Sequence, residues 1–248
     1  AGPANIVASI RYDDNEAYGD NTNGSVSAGL PISEDIQLVA SFGTAFRAPT
    51  FNELYYPFYG SPDVLPEESQ TAELALKGYQ AGLDWRVSVF HSDVENLIAS
   101  SAATNYLAGN INEADLQGVE VELSTQVMGW NLSATADFLD ARDASSNEYL
   151  DDRAAWSLGL NAGRQFNKLY VSVDTKAEHG RHDRSGTNLG GFAIFGMSAV
   201  YDYAERFQIS GRIDNLFNKD YTLNLASSTD SYETEGTLAK IGVKYTFK

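Results

Sequence analysis

Cysteine is missing from all 248 residues, so no disulfide framework, thiolate metal site or cysteine nucleophile is available. Long apolar runs are missing too. Nothing approaches the ~18 consecutive apolar residues of a membrane-crossing helix, and the mean hydropathy is −0.30. That value leaves room for a membrane β-barrel, whose strands alternate lipid-facing and lumen-facing residues and average to polar. Basic residues are scarce. The 17 Lys and Arg stand against 34 Asp and Glu, and a net charge of −17 repels nucleic-acid phosphates. The bland reading of that charge is a solvated, soluble surface. The start, Ala1-Gly2-Pro3, lacks the basic region and apolar core of a signal peptide. It reads as a mature, trimmed or engineered beginning, with the native export signal expected to be missing. Apolar and aromatic residues are plentiful: 43% hydrophobic, 14 Tyr and 12 Phe, too many for a disordered chain.

Those residues fall into a ladder. Apolar and polar residues alternate with a period of two, the mark of a strand with one apolar face. In the last segment Ala239, Ile241, Val243, Tyr245 and Phe247 oppose Lys240, Lys244 and Thr246; earlier, Leu132, Ala134, Ala136 and Phe138 oppose Asn131, Ser133, Thr135 and Asp137. The pattern predicts twelve strands, at 4–14, 23–31, 36–48, 68–79, 83–99, 114–127, 130–141, 153–165, 168–181, 191–203, 206–221 and 235–247. They are about twice the usual 5–6 residues of soluble strands and match the roughly 9–11 of a tilted membrane strand.

Connections also sort by length. Ile32–Asp35, Gln80–Gly82, Met128–Gly129, Asn167 and Ala204–Glu205 are tight turns; the segments at 14–23, 48–68, 100–113, 141–152, 181–190 and 222–234 are long. Short periplasmic turns and long extracellular loops are the habit of outer-membrane barrels. The even strand number then puts both termini on the periplasmic side. Aromatics such as Tyr12, Phe42, Trp85, Trp130, Phe138, Trp156, Tyr201, Phe207 and Tyr245 lie mostly near strand ends, where they suit an interfacial girdle or simply good strand formers. The expected fold is all-β: an antiparallel transmembrane barrel of about twelve up-and-down strands, 1–248 as one domain, in a bacterial outer membrane. Open edges in lipid leave unpaired N–H and C=O groups. Either the first and last strands pair, or another chain completes the barrel.

Ser41-Phe42-Gly43-Thr44-Ala45-Phe46-Arg47-Ala48-Pro49-Thr50-Phe51-Asn52-Glu53-Leu54-Tyr55 resembles a signature of TonB-dependent outer-membrane receptors. Ser61-Pro62-Asp63 leading to Pro66-Glu67-Glu68-Ser69, Leu116-Gln117-Gly118-Val119-Glu120, and Ile213-Asp214-Asn215-Leu216-Phe217-Asn218-Lys219-Asp220-Tyr221 follow in the family's order. Strand order and loop sizes look most like the cobalamin (vitamin B12) receptors. The resemblance implies a plugged barrel of about 22 strands that imports scarce large nutrients on energy passed by TonB. Only the family's last twelve strands are matched, without plug domain or TonB-contacting segment, so TonB contact is not expected of this chain alone. The aromatic residue near its end, Phe247, resembles the terminal signal read by the barrel-assembly machinery, although Lys248 follows it. A passive twelve-stranded, porin-like pore or scaffold is the alternative within the membrane; a soluble all-β binding protein is the alternative outside it.

Candidate sites follow from position. Phe51, Asn52, Tyr55, Tyr56, Phe58 and Tyr59 make an unusually aromatic loop, suited to stacking on a large nutrient at the mouth or to packing on itself. Tyr149, Asn224 and Tyr232 are further mouth candidates. Arg86, Glu120, Glu122, Asp137, Asp174, Arg212, Lys240 and Lys244, with Arg11, Glu73, Arg164, Lys176 and Asp214, are expected to line the lumen. No metal site or resident cofactor is expected. Calcium is the one cation to weigh, at Asp13, Asp14, Asn15, Glu16 and Asp20, which lack EF-hand spacing. His179 and His182 stand three apart, a poor metal pair on a strand. No lipid-facing Ser–His constellation supports a lipase, so no enzyme activity is expected.

Overall fold

A computed structural model describes residues 3–16, 19–100, 104–183, 186–225 and 234–247. Its strands are β1 (Asn5–Asn15), β2 (Gly19–Pro31), β3 (Ile36–Arg47), β4 (Glu67–Gln80), β5 (Leu83–Ala99), β6 (Gly109–Val127), β7 (Trp130–Asp143), β8 (Trp156–Phe166), β9 (Leu169–His179), β10 (Arg181–His182), β11 (Asn188–Leu189), β12 (Phe192–Ala204), β13 (Phe207–Asp214) and β14 (Leu238–Tyr245), with one short helix, α1 (Phe51–Tyr55). Twelve form a single up-and-down sheet in chain order from β1 to β9 and then β12, β13 and β14; β10 and β11 make a separate two-stranded ribbon. The order is not circular. Among the described residues β1 and β14 are edges, so the pairing of first and last strands weighed from the sequence is not found.

The chain divides into two compact units. The first holds Ala1–Gly78, Val87–Val119 and Leu139–Asp151; the second holds Tyr79–Arg86, Glu120–Phe138 and Asp152–Lys248. In the first, register sets Ile6 beside Ala28, Val26 beside Phe42, Leu38 beside Leu76 and Ala40 beside Leu74. The intervening rungs are polar: Ser9 with Ser25, Ser27 with Ser41, Ser41 with Glu73 and Gln37 with Lys77. In the second, Ala134–Leu160, Ala162–Val173, Val173–Met197, Met197–Ile213 and Ile209–Val243 share one face. Ser133–Asn161, Asn161–Asp174, Ser172–Ser198 and Arg212–Lys240 share the other. Because successive residues point to opposite faces, each unit has an apolar face and a polar one.

The apolar faces are bare. Ile10 is 81% exposed and Ile241 86%, while the buried apolar residues are mostly alanines, among them Ala75, Ala114, Ala141 and Ala177. A soluble domain buries its large aliphatics. Here the apolar side chains lie where another apolar medium must cover them. One small buried cluster, Ala114, Ala141 and Leu150, packs with Val94, Leu97 and Ile111 in the first unit.

Two tight turns show how the hairpins close. Ala81-Gly82 and Met128-Gly129 both take positive φ at both residues, the geometry of a two-residue turn that matches strand twist. Several boundaries differ from the alternation. The connection expected to be long at 14–23 is short, because β2 starts at Gly19 and Asn15 pairs with Gly19. β6 begins at Gly109 rather than near 114, and β13 ends at Asp214 rather than near 221. Asn215 and Asn218 have φ of 49° and 50°, a conformation that leaves the strand region.

Candidate ligand-binding mouth and polar face

The connection between β3 and β4 is built around a capping box. The Glu53 amide donates to the Thr50 hydroxyl oxygen at 3.3 Å, and the Thr50 amide donates to Glu53 Oε2 at 2.6 Å. These bonds satisfy donors that a helix start would otherwise leave orphaned. Arg47, at the end of β3, ties the helix to the sheet. Its Nη1 lies 3.2 Å from Glu53 and its Nε 2.6 Å from Glu67. Glu67 Oε1 also accepts the Ile98 amide at 2.7 Å. Burial alone would raise the Glu53 carboxyl, but the Thr50 amide and hydroxyl and the Arg47 guanidinium outweigh it and hold the group below the usual carboxylate range. The loop is pinned further along. The Ala108 amide donates to Tyr59 O at 2.7 Å, and the Asn110 side chain accepts from Leu65 N and donates to Leu65 O at 2.8 and 2.9 Å.

This scaffold presents the aromatic residues named above. Phe51 and Tyr55 meet with ring centroids 5.1 Å apart. Both are exposed, as are Asn52 and Tyr56, and Phe58 (φ 63°) is fully exposed; Tyr59 is half-buried. Tyr149 stands on a different turn, its ring 4.1 Å under Arg142, with half its surface exposed. Asn224, in the second unit, donates to Asp152 at 2.9 Å. Tyr232 lies outside the described residues.

On the polar face of the second unit, charges join across strands. Arg212 on β13 grips Asp174 on β9 with two nitrogens at 3.0 and 3.2 Å and also binds Asp214, which takes Lys240 at 3.1 Å. The Arg212–Asp174 bridge passes over β12 at Gly196, where a Cβ would stand 2.6 Å from Asp174 Oδ2. Gly196 is one residue that the alternation does not single out; a glycine inside a strand is the signal that marks such a close approach. Asp137 accepts from the Ser157 hydroxyl. Lys244 is exposed and pairs in register with Gln208. Glu120 and Glu122 alternate with Val119, Val121 and Leu123 along β6, and Arg86 alternates with Trp85 and Val87 along β5.

Arg164 is a correction. Expected in the lumen, it sits in register with Trp130 and Val171, on the apolar face. A second residue missed from the sequence is Arg181. Only 4% exposed, it donates to Thr222 O and Leu223 O and so anchors the segment that carries Asn224.

Of the acidic cluster weighed for calcium, Asp13 is taken by Arg11 at 2.6 Å. Neighbours Asp13 and Asp14 point to opposite faces of β1. Among the described residues His91, Asp93 and Asp115 bring three ligand atoms within 4.8 Å of one another, all three side chains being partly or largely exposed. His179 stacks beside Trp156 with ring centroids 5.8 Å apart, while His182 lies in β10.

Long antiparallel strands, one bare apolar face and one charged face define the wall of a membrane-type β-barrel. Comparison then fixes the family. A profile described as TonB dependent receptor-like, beta-barrel matches residues 1–216, and the chain belongs to that family. The vitamin B12 transporter BtuB of Photobacterium profundum is 31% identical over 86% of this chain and 36% of its own length; that of Vibrio vulnificus is 28% identical over 98% and 41%. The chain thus spans about two-fifths of these relatives. The ferric enterobactin receptor PfeA of Pseudomonas aeruginosa shares the fold, with a TM-score of 0.76 at 18% identity, over 98% of this chain and 43% of that one.

Proposed function

We propose that these twelve strands form part of the wall of an outer-membrane receptor for a large nutrient of the cobalamin class. The carrying observation is the two-faced sheet in a TonB-dependent receptor barrel, with apolar residues on one face and Asp174, Arg212, Asp214 and Lys240 on the other; in the proposed wall the first face meets hydrocarbon and the second meets water. Relatives named as vitamin B12 transporters support the ligand class. The exposed Phe51, Tyr55, Tyr56 and Phe58 supply flat apolar surface for a macrocycle to stack on. The edges of β1 and β14 need partners in lipid, each unpaired group costing several kcal/mol, so further strands complete the wall.

Equilibrium binding of cyanocobalamin to the folded chain in detergent tests the reading. Saturable binding that weakens about tenfold in a Tyr55→Ala, Phe58→Ala double variant is expected, the loss of two stacked rings at about 0.5–1.5 kcal/mol each. Ion conductance in a planar bilayer without any saturable binding would instead leave a passive pore.

A further inference from the structure

The apolar face of the second unit is not uniform. Ala134 and Ala162 sit among Leu123, Leu132, Leu160 and Val173, and the small side chains leave an open recess of about 490 Å³. That is within the roughly 300–1,000 Å³ of pockets that hold small ligands. One rung along β8 from Ala162, on the same face, stands Arg164. Its guanidinium lies 4.8 Å from the Phe166 ring centroid and 5.8 Å from that of Trp130. A Cβ at Gly129, in the tight turn between β6 and β7, would come within 3.5 Å of its Nε. Among the described residues, no carboxylate or other hydrogen-bond partner meets this guanidinium.

A cation on an apolar face is costly unless an anion or water meets it. Here the rings hold the guanidinium plane, and its N–H donors stay available for an oxygen anion. The charge stands at the tight-turn end of the recess, beside the Trp130–Phe166 edge-to-face pair with centroids 6.2 Å apart. Amphipathic rings favour headgroup depth. Polar anchor and apolar trough are therefore in the order in which a phospholipid presents its phosphate and its chain.

We propose that Arg164 and the recess dock an anionic glycerophospholipid, with the phosphate on the guanidinium and one acyl chain over Ala134 and Ala162. The proposal rests on this face being the lipid-facing one.

Tryptophan quenching by brominated lipids tests it. The full chain carrying Trp85→Phe and Trp156→Phe leaves Trp130 as reporter, and the folded protein is placed in phosphatidylcholine vesicles containing increasing brominated phosphatidylglycerol or brominated phosphatidylcholine. Phosphatidylglycerol should associate about fivefold more strongly, the effect of one basic residue at a membrane surface. Arg164→Gln should abolish the preference and Arg164→Lys should keep it. Ala134→Phe, which fills the trough, should weaken quenching by both lipids. Equal quenching in the parent, or a preference that survives Arg164→Gln, overturns the site and leaves the barrel intact. Failure of both lipids to quench Trp130 while they quench Trp156 in a Trp85→Phe, Trp130→Phe chain would mean a second protein copy covers the recess, which also overturns it. Failure to quench either tryptophan would refute the lipid-facing reading itself.

Discussion

Replacing Arg47 with methionine keeps most of the side chain's length and removes the fork that joins α1 to the sheet. The Glu53 and Glu67 side chains are 14% and 13% exposed, while Arg47 itself is 44% exposed. An ion pair with one partner half in water is worth little by itself, about 0–1 kcal/mol. The larger cost is two mostly buried carboxylates losing a donor, about 1–3 kcal/mol each if nothing else served them. Other donors do: Thr50 N–H stays on Glu53 and Ile98 N–H on Glu67. The loop should therefore loosen by about 2 kcal/mol without unfolding the sheet, and amides that close the loop should exchange about 30-fold faster. Tyr56 and Gly60, which donate to Asn52 O and Tyr56 O, and Ser61, which donates to Glu53 O, are the reporters. Hydrogen exchange followed by mass spectrometry reads them directly. Glu53→Gln, which keeps an acceptor for the Thr50 amide, should accelerate exchange less. Unchanged exchange at Tyr56, Gly60 and Ser61 would refute the latch. Equal acceleration at distant sheet amides would show that Arg47 supports the whole wall instead.

Three further outcomes follow from the same geometry. The folded-state Glu53 carboxyl lies below its ordinary value of 4.5, so its stabilisation is present above that pH and is lost as pH falls through the lower folded value; protease resistance of residues 50–60 should persist at neutral pH and fade in stronger acid. Asn215 is 5% exposed, and its side chain holds Lys219 N, Lys219 O and Glu235 O. Asn215→Ala should cost about 2 kcal/mol in urea unfolding, because it strands buried partners. A double-mutant cycle of Arg212→Ala with Asp174→Ala should give a coupling below about 1 kcal/mol if the polar face is wet, whereas about 3 kcal/mol would mean a dry interior.

The sequence disclosed most of the sheet because alternation is a local signal of which face is apolar. Leu132, Ala134 and Ala136 against Ser133 and Thr135 need no tertiary information to be read. Where both faces turn polar the signal ends before the strand does. Gly19–Thr22 has no apolar residue to mark a face, yet pairs with β1 as an ordinary ladder. β13 fails in the opposite sense. Leu216 and Phe217 continue an apolar reading, but Asn215 takes a left-handed conformation and its side chain captures the backbone beyond it. Arg164 escapes a reading by charge alone, because strand parity sets its face and the rings of Trp130 and Phe166 accommodate the guanidinium on the apolar side. Gly196 and Arg181 were invisible for a plainer reason. Each serves a partner far along the chain, Asp174 to Arg212 across one and Leu223 against the other, and only register brings those partners close. The aromatic loop was conspicuous by composition, but the capping box and the Arg47 fork that hold it are spread over twenty residues.

The chain's lack of cysteine makes the decisive measurement clean. A nitroxide attached in turn to positions 132 through 136 of β7, in the folded protein in a bilayer, reports its surroundings through relaxation by oxygen, which concentrates in hydrocarbon, and by a water-soluble nickel chelate. Labels at 132, 134 and 136 should respond to oxygen, and labels at 133 and 135 to the chelate, with a period of two. Uniform shielding from both agents at 132, 134 and 136 would place those side chains inside a protein core and contradict the lipid-facing wall.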